Sequence, residues 1–241
     1  MAQKRVVLVH TSFAVIDLFN RLFDDIVPDV KRIHIAEHSL IQDILDAGKV
    51  TPEVMRRMVG YFLQADAIRP DAIFSVCSTV GDVVDVARTM IRTPIVKIDD
   101  AMAVEAVERG ADIGVLATLP STLDPTCRLL ERVAAAKGKP IAIRRGLVEG
   151  AFDELIAGNT AVHDQMVRSK LVTLAGGCDL IVLAQSTMAR VMETVDPAAV
   201  VPCLHRGDVP VPILSSPRSA VLQLKQLLAV VPYRRKGKGL P

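Results

Sequence analysis

Cys77 is the residue whose type and position together favour catalysis. It stands directly after a buried apolar run and directly before a predicted helix, and Ser78 and Thr79 follow it. The first turn of a helix offers unpaired N–H groups and a partial positive charge, which favour the thiolate form of a cysteine. The hydroxyls of Ser78 and Thr79 are suited to hold a substrate carboxylate beside that sulfur. The alternative interpretation is a small buried side chain followed by helix-capping residues.

The other three cysteines lack this setting. Cys127 falls inside a helical pattern, Cys178 follows two glycines, and Cys203 follows a proline. The 4 cysteines are widely spaced and form no CxxC pair, which in the cytoplasm indicates free thiols and not a disulfide framework or a zinc site. We therefore expect structural roles for Cys127, Cys178 and Cys203.

A second kind of polar turn follows two other apolar runs. Thr11 and Ser12 follow the first run of the chain, and Thr118 and Ser121 follow a later one just before a predicted helix. Hydroxyls and free N–H groups at such turns are suited to bind a carboxylate or a phosphate. The alternative for Ser121 is simple N-capping of the helix. The sequence contains no glycine-rich phosphate loop of the P-loop or dinucleotide type.

Three positions are candidates for general acid–base chemistry: His163 with its neighbour Asp164, Glu149, and His10. His163 begins a helical pattern and is the one that we predict to be catalytic, the alternative being a surface or capping histidine. The remaining histidines show no metal-ligand spacing and are assigned no role: His34, His38 and His205.

Short β-rich runs alternate with longer helical patterns along almost the whole chain. The predicted strands are Arg5–Val9, Arg32–Ala36, Ala72–Val76, Ile95–Ile98, Ile113–Ala117, Ile141–Leu147, Leu180–Ala184 and Val211–Leu214. The predicted helices include Glu53–Ile68, Val80–Ile91, Met102–Arg109, Thr122–Ala136, Val162–Ala175 and Arg218–Val230. Continuous apolar strands between amphipathic helices indicate parallel strands covered on both faces, which is a doubly wound α/β fold. Ligands bind at the carboxyl ends of such strands.

An internal repeat indicates two pseudo-symmetric halves. The segment Cys77–Thr79 matches the segment Gln185–Thr187, because each follows an acidic residue and an apolar strand and leads into a helix. The interval from Thr11 to Cys77 is one residue shorter than the interval from Thr118 to Gln185. Two α/β halves of one plan would turn their strand ends towards a shared cleft.

The domain boundary follows from this repeat. Residues 1–98 plus 213–241 are predicted to form the first parallel-sheet half, which carries Cys77. Residues 99–212 are predicted to form the second half, which carries Gln185.

The bulk composition excludes several classes of protein. Half of the 241 residues are hydrophobic and only 3% are aromatic, which suits helix-on-sheet packing of aliphatic side chains. The net charge of +2 is spread along the chain, so we expect no nucleic-acid partner. No stretch approaches the roughly 20 apolar residues of a membrane span, and the apolar run near the start is interpreted as a strand and not as a signal peptide. We therefore expect a cytoplasmic protein that does not bind a membrane.

Four segments carry a resemblance to a known family: Cys77–Thr79, Pro94–Met102, Gly114–Thr122 and Asp179–Met188. In these segments the chain resembles the aspartate/glutamate (hydantoin) racemase superfamily. The resemblance covers most of residues 5–215, and the segment Gly114–Thr122 is fairly specific in combination with the cysteine turn.

This resemblance implies cofactor-independent chemistry at the carbon next to the carboxylate of a small acid. In the racemases two cysteines face each other across the substrate, one removing the proton and the other delivering one to the opposite face. Cys77 matches the first cysteine. The positions that match carboxylate-binding residues of the family are Ser78, Thr79, Thr118, Ser121, Ser186 and Thr187.

The sequence departs from the family at the second cysteine, where Gln185 stands. An amide neither gives nor takes a proton near neutral pH, and Cys178 lies at the far end of the preceding strand, so neither replaces the missing thiol. Two schemes stay open. In the first, Cys77 protonates an enediolate formed by loss of CO2 or of a proton. In the second, the Cys77 thiolate adds covalently to an activated carbon atom or a carbonyl group of the substrate. In both, Gln185 orients the substrate.

We expect an isomerase or racemase-type enzyme without a cofactor, acting on a small carboxylic acid and forming a homo-oligomer. Three alternatives stay open. The first is a single-cysteine decarboxylase (a lyase) of a small dicarboxylic acid. The second is a non-catalytic protein that binds small carboxylates. The third is a cysteine hydrolase whose base is His163 or His10.

Overall fold

The apolar runs of the sequence form two four-stranded parallel sheets with helices on both faces. A computed structural model describes residues 3–193, 205–206 and 209–231. The first sheet contains β1 (Arg5–His10), β2 (Lys31–Ala36), β3 (Ala72–Ser75) and β4 (Ile95–Lys97). The second contains β5 (Asp112–Ala117), β6 (Ala142–Leu147), β7 (Leu180–Leu183) and a strand near the end of the described chain, which is numbered β10 (Ile213–Ser215). A short antiparallel pair, β8 (His205–Arg206) with β9 (Val209–Pro210), precedes it.

The predicted α/β class is confirmed, and every predicted strand agrees with an observed one to within two residues at either end. The helices are α1 (Ile16–Ile26), α2 (Ser39–Ala47), α3 (Pro52–Ala67), α4 (Gly81–Arg88), α5 (Asp100–Arg109), α6 (Pro120–Lys137), α7 (Ala151–Ile156), α8 (Thr160–Ala175), α9 (Ala189–Glu193) and α10 (Ser216–Val230). No helix among the described residues is long and apolar enough to cross a membrane.

The chain divides into two units, each built on one sheet. The first unit runs to Ile98 and resumes at Val221, within α10; the second spans Asp99–Ala220. The sequence placed everything from residue 213 in the first half, and the structure corrects this. Strand β10 pairs in parallel with β7, and this hydrogen bonding makes residues 213–215 part of the second sheet.

The core of the first unit lies on both faces of its sheet. Alternate side chains such as Val7 and Val9 pack with α2, α3 and α4 on one face. On the other face Phe74 meets Phe19 and Phe23 of α1 at ring-centroid distances of 5.4 and 6.2 Å.

Local sequence explains why α3 forms where it does. Thr51 caps the helix by accepting a hydrogen bond from the Val54 backbone N–H at 3.2 Å, and Pro52 occupies the first helical position, where a missing N–H costs nothing. Val54, Met58 and Phe62 recur every four residues and are buried. That spacing turns one apolar stripe of α3 towards the sheet.

The second unit repeats this arrangement. Helices α5 and α6 cover one face of its sheet and α8 covers the other. Gly114 of β5 permits the close approach of α8, because a Cβ there would lie 2.9 Å from the Cys178 Sγ and 3.0 Å from the Leu174 Cδ2. The predicted structural role of Cys178 is consistent with this packing.

The strand orders of the two sheets show the internal repeat directly. The orders are β2-β1-β3-β4 and β6-β5-β7-β10, so each strand of one sheet has a counterpart in the other. The acidic residues of the repeat make the same contact in both units. Asp71 accepts a hydrogen bond from the Arg5 backbone N–H at 2.7 Å, and Asp179 accepts one from the Asp112 backbone N–H at 2.9 Å. Each carboxylate thus fixes the start of the neighbouring central strand.

Replacing Asp71, whose side chain is buried, with alanine is expected to lower the free energy of unfolding by about 1–3 kcal/mol, since the part-buried Arg5 backbone N–H loses a charged acceptor. Urea denaturation followed by circular dichroism measures the change. Asp46→Ala is the matched control, because Asp46 is exposed and should change the free energy by less than about 0.5 kcal/mol. Equal losses in the two variants would contradict the role assigned to Asp71.

Candidate functional site

The turn that carries Cys77 lies at the carboxyl edge of the first sheet. The Val76 backbone N–H donates to the Val9 carbonyl at 3.1 Å, which sets the end of β3 beside the end of β1. Cys77 is half-buried in an extended conformation, with φ −118° and ψ 120°, and a 3-10 turn over Ser78–Val80 leads into α4. The thiol therefore stands at the strand-to-helix turn that the sequence predicted.

Four other predicted residues lie at this edge with Cys77. Ser78 and Thr79 are buried in the 3-10 turn, and Thr11 is buried directly after β1. Ser12 is half-buried, and its Oγ accepts a hydrogen bond from the Ala14 backbone N–H at 3.2 Å. The parallel register thus gathers hydroxyl side chains from two neighbouring strand ends near the thiol.

Gln185 holds the same backbone position in the second unit as Cys77 does in the first. It follows β7 in an extended conformation, with φ −129° and ψ 136°, and precedes a 3-10 turn over Ser186–Met188. Ser186 and Thr187 are half-buried there. The Thr187 Oγ1 is enclosed and has no hydrogen-bond partner within the described part of the chain.

Thr118 donates two hydrogen bonds to the side chain of Gln185. The Oε1 of Gln185 accepts the Thr118 backbone N–H at 2.6 Å and the Thr118 hydroxyl at 3.0 Å. Both donors that the sequence assigned to a substrate carboxylate are therefore already used within the protein. The substrate-binding role of Thr118 stays a prediction, and these two bonds would have to be exchanged for bonds to a substrate.

Ser121 lies in the first turn of α6 and is half-buried. The helix begins at Pro120 with Leu119 as its N-cap, so Ser121 does not cap the helix. The simple capping alternative for Ser121 is therefore wrong.

His163 is fully buried in the first turns of α8. Its Nδ1 lies 2.8 Å from the Asp164 Oδ1, and the Asp164 Oδ2 lies 3.4 Å from the Arg190 Nε. An ionised carboxylate only accepts hydrogen bonds, so a neutral His163 carries its proton on Nδ1 and leaves Nε2 as an acceptor. That Nε2 is enclosed and has no partner among the described residues. Glu149, in contrast, is exposed in the loop after β6.

His10 is buried and belongs to a hydrogen-bonded chain with the half-buried His34 and Asn20. Sequence reasoning missed this chain because His34 was assigned no role. The His34 Nε2 lies 3.2 Å from the Asn20 Oδ1, and the His34 Nδ1 lies 3.0 Å from the His10 Nε2. Burial and the neighbouring His34 lower the pKa of His10 from 6.5 to about 4. Side chains alternate along β1 and β2, and the parallel register of the two strands puts His10 and His34 on the same face of the sheet. The alternation is visible in the sequence, whereas the register is not.

This pair is expected to make the protein less stable in acid. The unfolded chain takes up a proton on His10 below pH 6.5, whereas the folded chain takes it up only near pH 4. The free energy of unfolding should therefore fall by about 3 kcal/mol as the pH drops through that interval. Urea denaturation between pH 7 and pH 4 measures the slope, and His10→Gln should flatten it. An unchanged slope in that variant would rule out His10 as the cause.

Lys97 adds a buried positive charge beside the cysteine turn. It ends β4 with a side chain that is 3% exposed, and its Nζ lies 3.5 Å from the Asp85 Oδ2 of α4. Its side chain runs beside Gly81, the first residue of α4, where a Cβ would lie at van der Waals contact, 3.4 Å from the Lys97 Cε. Lys97 falls inside one of the four segments that carry the family resemblance, yet its charge was not singled out.

The remaining described cysteines differ from Cys77 in being fully buried. Cys127 and Cys178 are buried, and burial raises the pKa of Cys127; Cys203 lies outside the described residues. Within residues 3–193, 205–206 and 209–231, no three His, Cys, Asp or Glu side chains form a group able to hold a metal ion.

Comparison with known proteins identifies a family that matches most of the chain. The family model described as Asp/Glu/Hydantoin racemase matches residues 5–224. A search of curated protein sequences found no match.

Several solved structures share the fold at low sequence identity. Glutamate racemase from Francisella tularensis, in complex with D-glutamate, has a TM-score of 0.73 and 14% identity over 94% of this chain and 81% of that chain. Aspartate racemase from Picrophilus torridus has a TM-score of 0.67 and 10% identity over 94% of each chain. Allantoin racemase from Klebsiella pneumoniae has a TM-score of 0.66 and 15% identity over 94% of this chain and 88% of that chain.

Proposed function

The chain belongs to the Asp/Glu/Hydantoin racemase family, and from this premise we propose that it is a cofactor-independent isomerase of the racemase type. Its substrate in this proposal is a small acid, and the reaction takes place at the carbon next to the carboxylate. Cys77 is the acid–base group. The protein works in the cytoplasm and as a homo-oligomer.

One observation carries the proposal: the placement of Cys77. The thiol is half-buried at the exit of a central parallel strand, between Val76 and the 3-10 turn that holds Ser78 and Thr79. Catalytic residues of parallel α/β sheets lie at this edge. Hydroxyl groups and the buried Lys97 ammonium supply hydrogen-bond donors and positive charge at the same edge, which suits an anionic substrate.

The proposed reaction begins with the Cys77 thiolate. It removes the proton from the carbon next to the carboxylate, and the electron pair of that C–H bond enters the carboxylate to give an enediolate. Donors from Ser78 and Thr79 stabilise the added negative charge. The thiol then returns a proton to carbon. Return to the same face exchanges the proton without inversion, so racemisation needs a second group on the other face.

His163 is the candidate proton carrier of the second unit, since Gln185 transfers no proton near neutral pH. Asp164 holds its Nδ1–H and would stabilise the imidazolium that forms when Nε2 takes up a proton.

The test is hydrogen exchange at carbon. The protein is incubated in deuterated water with D- and L-aspartate, D- and L-glutamate, allantoin and a panel of other mono- and dicarboxylates, and proton NMR follows the substrates. Deuterium is expected at the carbon next to the carboxylate of at least one acid. The Cys77→Ala variant should show none of it.

Other outcomes would overturn the proposal. Product formation with release of CO2 would identify a decarboxylase. Binding of carboxylates without any exchange would identify a non-catalytic binding protein. Exchange that persists in Cys77→Ala would remove the thiol from the mechanism.

A further inference from the structure

We propose that the side-chain amide of Gln185 is a fixed hydrogen-bond donor to the carboxylate of the substrate. This inference deepens the proposed function and rests on it for the class of substrate. It assigns a binding role to the residue at the position that corresponds to Cys77 in the repeat.

The orientation of the amide is determined by Thr118. The backbone N–H of Thr118 can only donate, so the atom 2.6 Å from it must be the amide oxygen and not the amide nitrogen. The Thr118 hydroxyl adds a second hydrogen bond to the same oxygen at 3.0 Å. A flipped amide would set an N–H group against an N–H group and lose both bonds.

The amide nitrogen is thereby turned away from Thr118 with both of its hydrogens. Among the described residues no atom accepts a hydrogen bond from the Gln185 Nε2, and this nitrogen is not among the enclosed polar atoms that lack a partner. The residue as a whole is 9% exposed, so most of the side chain is held by its surroundings, while the nitrogen is not fully enclosed. The result is a pair of N–H donors in a fixed place at the carboxyl edge of the second sheet.

The chemistry of such a group selects an acceptor with several lone pairs. A carboxylate only accepts hydrogen bonds and offers two oxygens, and bonds from neutral donors to a charged acceptor are stronger than neutral ones. The two Thr118 bonds already hold the Gln185 amide in place. A carboxylate that binds to it therefore costs no further loss of side-chain freedom at Gln185. Each bond to the anion should strengthen binding by about tenfold, which corresponds to roughly 1.4 kcal/mol.

The decisive variant is Gln185→Glu. It keeps the length of the side chain and an oxygen to accept both Thr118 bonds, but it replaces the NH2 group with a negatively charged oxygen. Isothermal titration with L-aspartate, L-glutamate, succinate and acetate should show dissociation constants at least tenfold higher than in the unaltered protein. With each dissociation constant compared with that of the unaltered protein at the same pH, affinity should recover in part between pH 8 and pH 5, because the bound anion beside the new carboxyl favours its protonated form, which has an O–H donor. A purely structural role would produce no such pH profile.

Two further variants complete the design. Gln64→Glu adds the same charge on the exposed face of α3 and should leave the dissociation constants unchanged. Gln185→Met keeps the length without a charge or an N–H donor, and should also raise the dissociation constants if the charged variant does not fold.

The outcomes separate this proposal from the proposed function. Unchanged affinity in folded Gln185→Glu and Gln185→Met would overturn the donor role, even if Cys77-dependent exchange at carbon persists. Failure of the unaltered protein to bind any of the four acids would overturn it as well. Carboxylate binding that depends on Gln185, without exchange at carbon, would support the donor role and reject the proposed catalysis.

Discussion

Replacing Cys77 with serine is expected to lower the turnover number by about a thousandfold while leaving the fold intact. Serine has nearly the shape of cysteine and can occupy the same extended position before the 3-10 turn. Its hydroxyl, however, does not ionise near neutral pH and cannot remove a proton from carbon. Proton NMR of the exchanging substrate measures the turnover number, and circular dichroism confirms the fold.

Cys127→Ala is the matched control for this variant. Cys127 is buried in α6, and burial raises the pKa of its thiol, so it should neither affect turnover nor react quickly with alkylating agents. Brief treatment with iodoacetamide near neutral pH should label Cys77 ahead of Cys127 and Cys178, and a bound carboxylate should slow the labelling. Substantial turnover in Cys77→Ser, or faster labelling of Cys127, would refute the assignment.

Replacing Phe74 with alanine is expected to have the largest effect on stability, a loss of about 3–5 kcal/mol in the free energy of unfolding. The ring is fully buried in β3 and lies between the rings of Phe19 and Phe23 of α1. Its removal leaves a cavity and ends two aromatic contacts. Urea denaturation followed by circular dichroism measures the loss.

Phe13→Ala controls for the change of residue type. Phe13 is 58% exposed and stacks on His38 with ring centroids 5.4 Å apart. Its loss should cost less than about 1 kcal/mol, because little apolar surface is buried there. If the two phenylalanine variants lose equal stability, the packing of α1 against the first sheet is not what stabilises this unit.

The sequence predicted the inner strands well because β1, β3, β5 and β7 are largely apolar runs, which is typical of strands buried on both faces. The run before Cys77 and the run before Gln185 became the two central strands β3 and β7. The repeat also identified the equivalence of those two turns, which their backbone angles support. The pairing of strands within each sheet was harder to predict. Strand β10 was assigned to the wrong half because a short apolar run does not indicate which strand it pairs with.

The contacts that define the candidate site were beyond the sequence. The Gln185 amide meets a residue 67 positions away, and no local pattern reports a hydrogen bond over that separation. The pairing of His10 with His34 needs the register of two neighbouring strands, which periodicity does not give. The sequence therefore identified Cys77 as chemically distinctive, whereas the hydrogen-bond partners of Gln185 and His10 follow only from the folded structure.

The first unit is made of two separate pieces of chain, and this has a consequence during protein synthesis. Its four strands leave the ribosome first, but its last piece, from Val221 onward, is made only after the whole second unit. The Lys4 ammonium, just before β1, donates hydrogen bonds to the carbonyls of Leu228 and Val231, so the later piece is bound to the start of the first sheet. The second unit, which is continuous, can finish folding first. The first sheet therefore lacks its contacts with the later piece until the whole second unit has been made.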